Sequence, residues 1–111
     1  MFLLLFIGLP IYLSTESGEL FITRQSIVGT WVAKSDSGRV TNILVFHRNG
    51  DLMITDIMEQ GQMTVKYELV TPRSLRMIGP DGDSMFIPIL IDNNNLIITA
   101  RGMRVVYTKS Q

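Results

Sequence analysis

No cysteine occurs anywhere in the 111 residues. Disulfides, thiolate metal sites, thiol nucleophiles and lipid-modified cysteines are therefore excluded, while a cysteine-free chain suits either redox compartment. Histidine is almost as scarce. His47 is the only one, and neither a His-x-His spacing nor a carboxylate cluster accompanies it, so it reads as a solvent-facing residue at a strand end rather than a metal ligand or a relay. An excess of either charge is lacking too. Ten Lys plus Arg balance ten Asp plus Glu, which gives no electrostatic footprint for nucleic acid or for an anionic membrane surface. The chain also has no phosphate-cradling glycine loop, no serine elbow and no recognisable pair of catalytic carboxylates. The expectation is a non-enzymatic protein without cofactor or metal. Asp81-Gly82-Asp83 and Asp92-Asn93-Asn94-Asn95 are too short of oxygen ligands for a calcium loop and read as polar turns.

What is present begins with an uncharged apolar run, Phe2 to Leu13, containing Gly8 and Pro10 and followed at once by Ser14-Thr15-Glu16-Ser17-Gly18. As a helix this run would span about 18 Å, short of the roughly 30 Å of bilayer hydrocarbon, so it has the shape of a signal-peptide core more than of a membrane-spanning helix. No Lys or Arg precedes it. Three readings stand: a secretory leader, part of a membrane anchor, or a buried apolar element of the domain. The first two place the domain outside the cytoplasm, as a secreted, periplasmic or membrane-anchored protein. Residues 1–17 are taken as signal peptide or anchor, 18–29 as a linker and lid in which Thr23 or Ser26 can cap a short helical turn, and 30–109 as one β domain.

From Thr30 onward, short β-rich runs alternate with turn clusters at residues 36–38, 49–50, 59–62, 71–73, 79–83, 92–95 and 101–102. Seven turns separate eight strands, predicted at 30–35, 39–47, 51–58, 63–70, 74–78, 84–91, 95–100 and 103–109. Asn49-Gly50 is the sharpest signal, since a two-residue type I′ hairpin needs positive φ at both central positions. Loops this short force each strand to pair antiparallel with the next, and closing the meander into a barrel removes its two free edges. The fold expected is all-β, an eight-stranded antiparallel up-and-down barrel. Alternation sends Met63, Val65, Tyr67 and Leu69 to one face, and Met103, Val105 and Tyr107 likewise. The continuous runs 43–46 and 86–91 suggest strands covered on both sides, and Pro88 marks a bulge or an edge.

The single tryptophan, Trp31, stands at the head of the first strand behind Gly29, whose freedom lets the backbone turn or pass close to a neighbour; the indole N–H needs a partner when buried. Gly29-Thr30-Trp31, the Phe46-His47-Arg48-Asn49-Gly50 hairpin, Val65-Lys66-Tyr67, Leu75-Arg76-Met77, Leu96-Ile97-Ile98 and Val105-Val106-Tyr107 together resemble the small bacterial lipocalin-like domains, over residues 27–109. The resemblance implies that Gly29 and Trp31 close the barrel floor, with the indole packed beneath an arginine from late in the chain, Arg101 or Arg104. It also implies a secreted or membrane-attached protein.

The bulky inward candidates Phe46, Met63, Tyr67, Leu69, Met77, Met103 and Tyr107 predict a mostly filled barrel with at most a shallow apolar mouth, well under the roughly 300 Å³ at which ligand pockets usually begin, and any binding at the rim or outer face. Two function classes follow: a binding module of the cell envelope, with a protein partner on its surface or as carrier of a small hydrophobic ligand inside the barrel, or a structural or accessory domain of the envelope with a filled core and no ligand. For the carrier, the ligand-binding residues would be Trp31, Phe46, Tyr67, Met77, Met103 and Tyr107.

Overall fold

The computed structural model describes residues 18–110. The leader or anchor assigned to residues 1–17 lies outside them. Eight strands follow one another: β1 Gly29–Lys34, β2 Val40–Phe46, β3 Asp51–Asp56, β4 Gly61–Thr71, β5 Ser74–Ile78, β6 Ser84–Asp92, β7 Asn95–Ala100 and β8 Met103–Ser110. Each pairs antiparallel with the next, and β8 returns to β1 through Thr30↔Ser110, Trp31↔Lys109 and Val32↔Thr108, which closes the barrel. The predicted meander and its closure are both found. Residues 18–27 form a helix, α1, ahead of β1.

Turn chemistry sets the registers. The β1–β2, β2–β3 and β5–β6 connections share one design, in which a type I turn is followed by a glycine at positive φ. At the second of these, His47 N–H donates to the Asp51 carbonyl (2.8 Å) and Gly50 N–H to the His47 carbonyl (3.1 Å), with Gly50 at φ 99. Gly38 and Gly82 hold the equivalent places. Only Gly50, not Asn49, has positive φ. The expected two-residue type I′ turn is therefore absent here, because the three-residue loop with a bulge needs one left-handed residue rather than two. The turn with two such residues is β7–β8, where Arg101 and Gly102 sit at φ 53 and 75 between the paired Ala100 and Met103.

Pro88 is at neither a sheet edge nor a bulge: it pairs with Ser74 in a strand that has neighbours on both sides. Residues 84–88 pair with β5, whereas 89–92 pair with β7, so β6 changes partner at the proline. The two apolar runs are not covered on both sides. Phe86 and Leu90 point outward and are exposed, Ile43 and Val45 are half-buried on the same outer wall, and Ile87 and Ile89 face in. Such a run is an inward and an outward apolar set interleaved.

The core fills the end of the barrel nearest α1. Trp31, Phe46, Leu52, Leu69, Leu75, Ile89 and Leu96 are buried there, joined by Ile27 from the helix. Towards the opposite end, Ile54, Met77, Ile98 and Val105 pack on this cluster while remaining half-exposed. Met58, Met63, Met85 and Met103 stand exposed around that rim.

Candidate functional site: the floor and the cleft beside the helix

Two barrel side chains tie α1 to the floor. The last carbonyls of a helix lack intrahelical donors. Trp31 Nε1 donates to the Ile27 carbonyl at 2.8 Å, and Lys109 Nζ donates to the Ser26 carbonyl at 2.7 Å. A cation at a helix C-terminus also opposes the negative end of the helix dipole. Lys109 is cross-strand partner to Trp31, and its ammonium lies 5.2 Å from the indole centroid, a cation–π distance. The buried Trp31 thus has its polar edge on the helix and its face against a cation. Gly29, at φ 136, leaves room for this arrangement, since a Cβ there would meet Lys109 Cε at 2.9 Å.

The cation over Trp31 is Lys109, so neither arginine takes the role assigned to it. Arg101 occupies the β7–β8 turn and Arg104 lies opposite Thr99 near the far rim, both exposed. Register explains the difference: β8 enters at the far end and reaches the tryptophan only at residue 109. Thr23 and Ser26 do not cap a helix start either. Thr23 lies within α1 and donates back to the Glu19 carbonyl.

The remaining interior candidates separate into layers. Phe46 is buried and meets the Tyr67 ring edge-on, with centroids 5.0 Å apart. Tyr67 is half-buried and its hydroxyl donates to the His47 carbonyl at 2.7 Å; burial raises its pKa. Tyr107 is buried opposite Leu96, and burial first, then the Asp56 charge, raises its pKa. Met77 is half-exposed opposite Met85. Met103 is not an interior residue: it keeps the inward phase of β8 but is 67% exposed, as it flanks the terminal turn with no layer above it. Met63, 51% exposed, has the same fate.

An opening lies at this filled end, and Tyr67 and Leu69, both on the inward face of β4, line it together with residues of α1 and the β2–β3 turn. A cleft of about 430 Å³ runs between α1 and the barrel rim, lined by Phe21, Arg24, Gln25, Val28, Arg48, Gly50, Tyr67, Glu68 and Leu69. Phe21, Arg24 and Gln25 share one face of α1 by their three- and four-residue spacing, and Val28 follows directly after the helix. Leu20 and Ile27 turn the neighbouring face to the core. Arg48 and Gly50 come from the β2–β3 turn, which the Tyr67 N–H holds by donating to the Gly50 carbonyl at 2.9 Å. Among the described residues the side-chain ion pairs are Lys66–Asp51 and Arg76–Glu68. Among these residues Arg24 and Arg48 therefore have no carboxylate partner, whereas Glu68 has Arg76 at 3.3 Å. The Lys66 hydrogen bond, more than any other influence, holds Asp51 below the ordinary aspartate pKa. His47 is exposed, and no cluster of three or more His, Asp or Glu suited to a metal ion occurs among the described residues.

Sequence reading missed Arg24, Arg48, Phe21 and Val28 as a set. The signal existed in the helical spacing of 20, 21, 24 and 27, but residues 18–29 read as a linker, and nothing local places the 46–51 hairpin against them.

A closed eight-stranded antiparallel meander with a tryptophan-plugged floor is the architecture of a small β-barrel, consistent with the lipocalin-like, or calycin, type. No protein-family model matches the chain, and no curated protein matches it.

Proposed function

We propose that the chain is a non-enzymatic, lipocalin-like binding or accessory module that works outside the cytoplasm, exported or held at a membrane through residues 1–17, and that it binds at the cleft beside α1. The observation that carries this reading is the pairing of a floor packed with large side chains with a cleft of about 430 Å³ beside it that shares Leu69 in its lining, a volume within the roughly 300–1,000 Å³ of small-molecule sites. The apolar run 2–13 and the small polar residues after it support the location. Among the described residues no helix is long and apolar enough to cross a membrane.

An environment-sensitive apolar dye tests the site. Val28→Trp narrows the cleft and should abolish saturable dye binding, whereas Met77→Trp, inside the barrel, should leave it intact. The half-exposed Ile54, Met77, Ile98 and Val105 at the opposite end favour a second reading, a hydrophobic ligand inside the barrel, and the reverse result with the two variants would establish it. For location, the full chain should fractionate outside the cytoplasm. A chain trimmed to begin at Gly18 should still fold; if it cannot, the apolar run belongs to the core.

A further inference from the structure

Two guanidinium groups that have no carboxylate partner among the described residues line this cleft beside apolar side chains. Arg24 comes from α1 and Arg48 from the β2–β3 turn, while Phe21, Val28 and Leu69 line the same cleft with apolar side chains. Arginine holds carboxylate and phosphate through paired N–H donors and stays charged at any working pH. Glu68, the one carboxylate among the described residues lining the cleft, is engaged by Arg76 on the outer wall and offsets only part of the positive potential. Since the whole chain is electrically neutral, long-range attraction supplies no selectivity, and any preference for anions must arise from these two residues. The cleft volume lies low in the range of ligand pockets, which suits one short chain rather than two.

We propose that the cleft takes a single-chain anionic amphiphile, its apolar tail against Phe21, Val28 and Leu69 and its carboxylate or phosphate head between Arg24 and Arg48. This rests on the reading of the cleft as the binding site and adds the class of ligand. The apolar part contributes affinity through buried surface, and the two arginines discriminate the anion from a neutral chain of equal length. Such a ligand can come free from solution or from the head-group layer of a bilayer.

The test uses the full chain, labelled with nitrogen-15, titrated with sodium decanoate and with decan-1-ol below their aggregation limits. Decanoate should bind one to one at least tenfold tighter than decanol and shift the amides of residues 21–28 and 48–50. The double variant Arg24→Gln with Arg48→Gln changes only exposed side chains; it should lose at least tenfold in decanoate affinity and leave decanol unchanged. Displacement of decanoate by vesicles carrying single-chain lysophosphatidylglycerol but not by vesicles carrying lysophosphatidylcholine assigns the ligand to the bilayer, and no displacement by either assigns it to solution; both support the chemistry. Equal affinities for the two probes, indifferent to the double variant but still mapping to residues 21–28, would overturn the anion preference and leave the cleft as the site. Shifts confined to Ile54, Ile98 and Val105 would overturn the cleft reading itself, and absence of saturable binding by either probe would overturn the inference.

Discussion

Replacing Trp31 by alanine removes the largest buried side chain of the floor, together with the donor to Ile27 and the ring face beneath Lys109. Large-to-small changes of this kind cost about 3–5 kcal/mol, a large share of the roughly 5–15 kcal/mol that holds a small domain together. Trp31→Phe separates the contributions. It keeps much of the apolar volume but leaves the Ile27 carbonyl without its donor, a loss of about 1–3 kcal/mol where the group stays buried. Urea unfolding followed by far-ultraviolet circular dichroism is the suitable assay, since both variants lose the only tryptophan and with it the fluorescence signal. The alanine variant should have a markedly lower midpoint, and the phenylalanine variant an intermediate one. A loss below about 1 kcal/mol for Trp31→Ala, against the 3–5 expected of a buried ring, would place the residue outside the core and refute the floor described above.

Lys109→Met should cost about 1–2 kcal/mol through the lost helix-end contact and the lost cation over the indole, and the cost should shrink in a Trp31→Phe background; equal costs in both backgrounds would show that the two residues act independently. Arg101→Asn should stabilise by some tenths to about 1 kcal/mol, because Arg101 holds a left-handed conformation that asparagine tolerates better; a lower thermal midpoint would contradict this. Asp51, its pKa depressed chiefly by Lys66, favours folding above the unfolded aspartate pKa and loses that contribution as the pH falls through its own lower folded value. In Lys66→Gln, carbon-detected titration should find the Asp51 transition moved upward, and an unmoved transition would remove Lys66 as its cause.

Strand order was legible because its signals are local. Gly38, Gly50, Gly82 and Gly102 punctuate the chain, and the intervening runs are too short for anything but hairpins, so all eight strands fall within a few residues of their predicted places. Closure followed from the cost of two free edges. What the sequence concealed depends on residues brought together from far apart. Lys109 reaches Ser26 across 83 positions, and only the β1–β8 register, fixed by closure, says that residue 109 rather than 101 or 104 meets Trp31. Met103 shows the limit of alternation, which fixes a side chain's face but not its depth along the barrel. The turn at 47–50 carried the right residues for a hairpin and the wrong subtype, since glycine serves both the two-residue turn and the bulged one. The cleft was hidden for a similar reason: its two arginines lie on a helix and a hairpin that share no sequence pattern.

That binding occurs in the cleft beside α1, at the filled end of the barrel, is tested most directly by paramagnetic relaxation on the nitrogen-15-labelled full chain with a small nitroxide-bearing apolar probe. Amides of Phe21, Val28 and Leu69 should be broadened first, with those of Ile54, Ile98 and Val105 spared at the same probe concentration. Preferential broadening of Ile54, Ile98 and Val105 would contradict the account and move the ligand into the barrel.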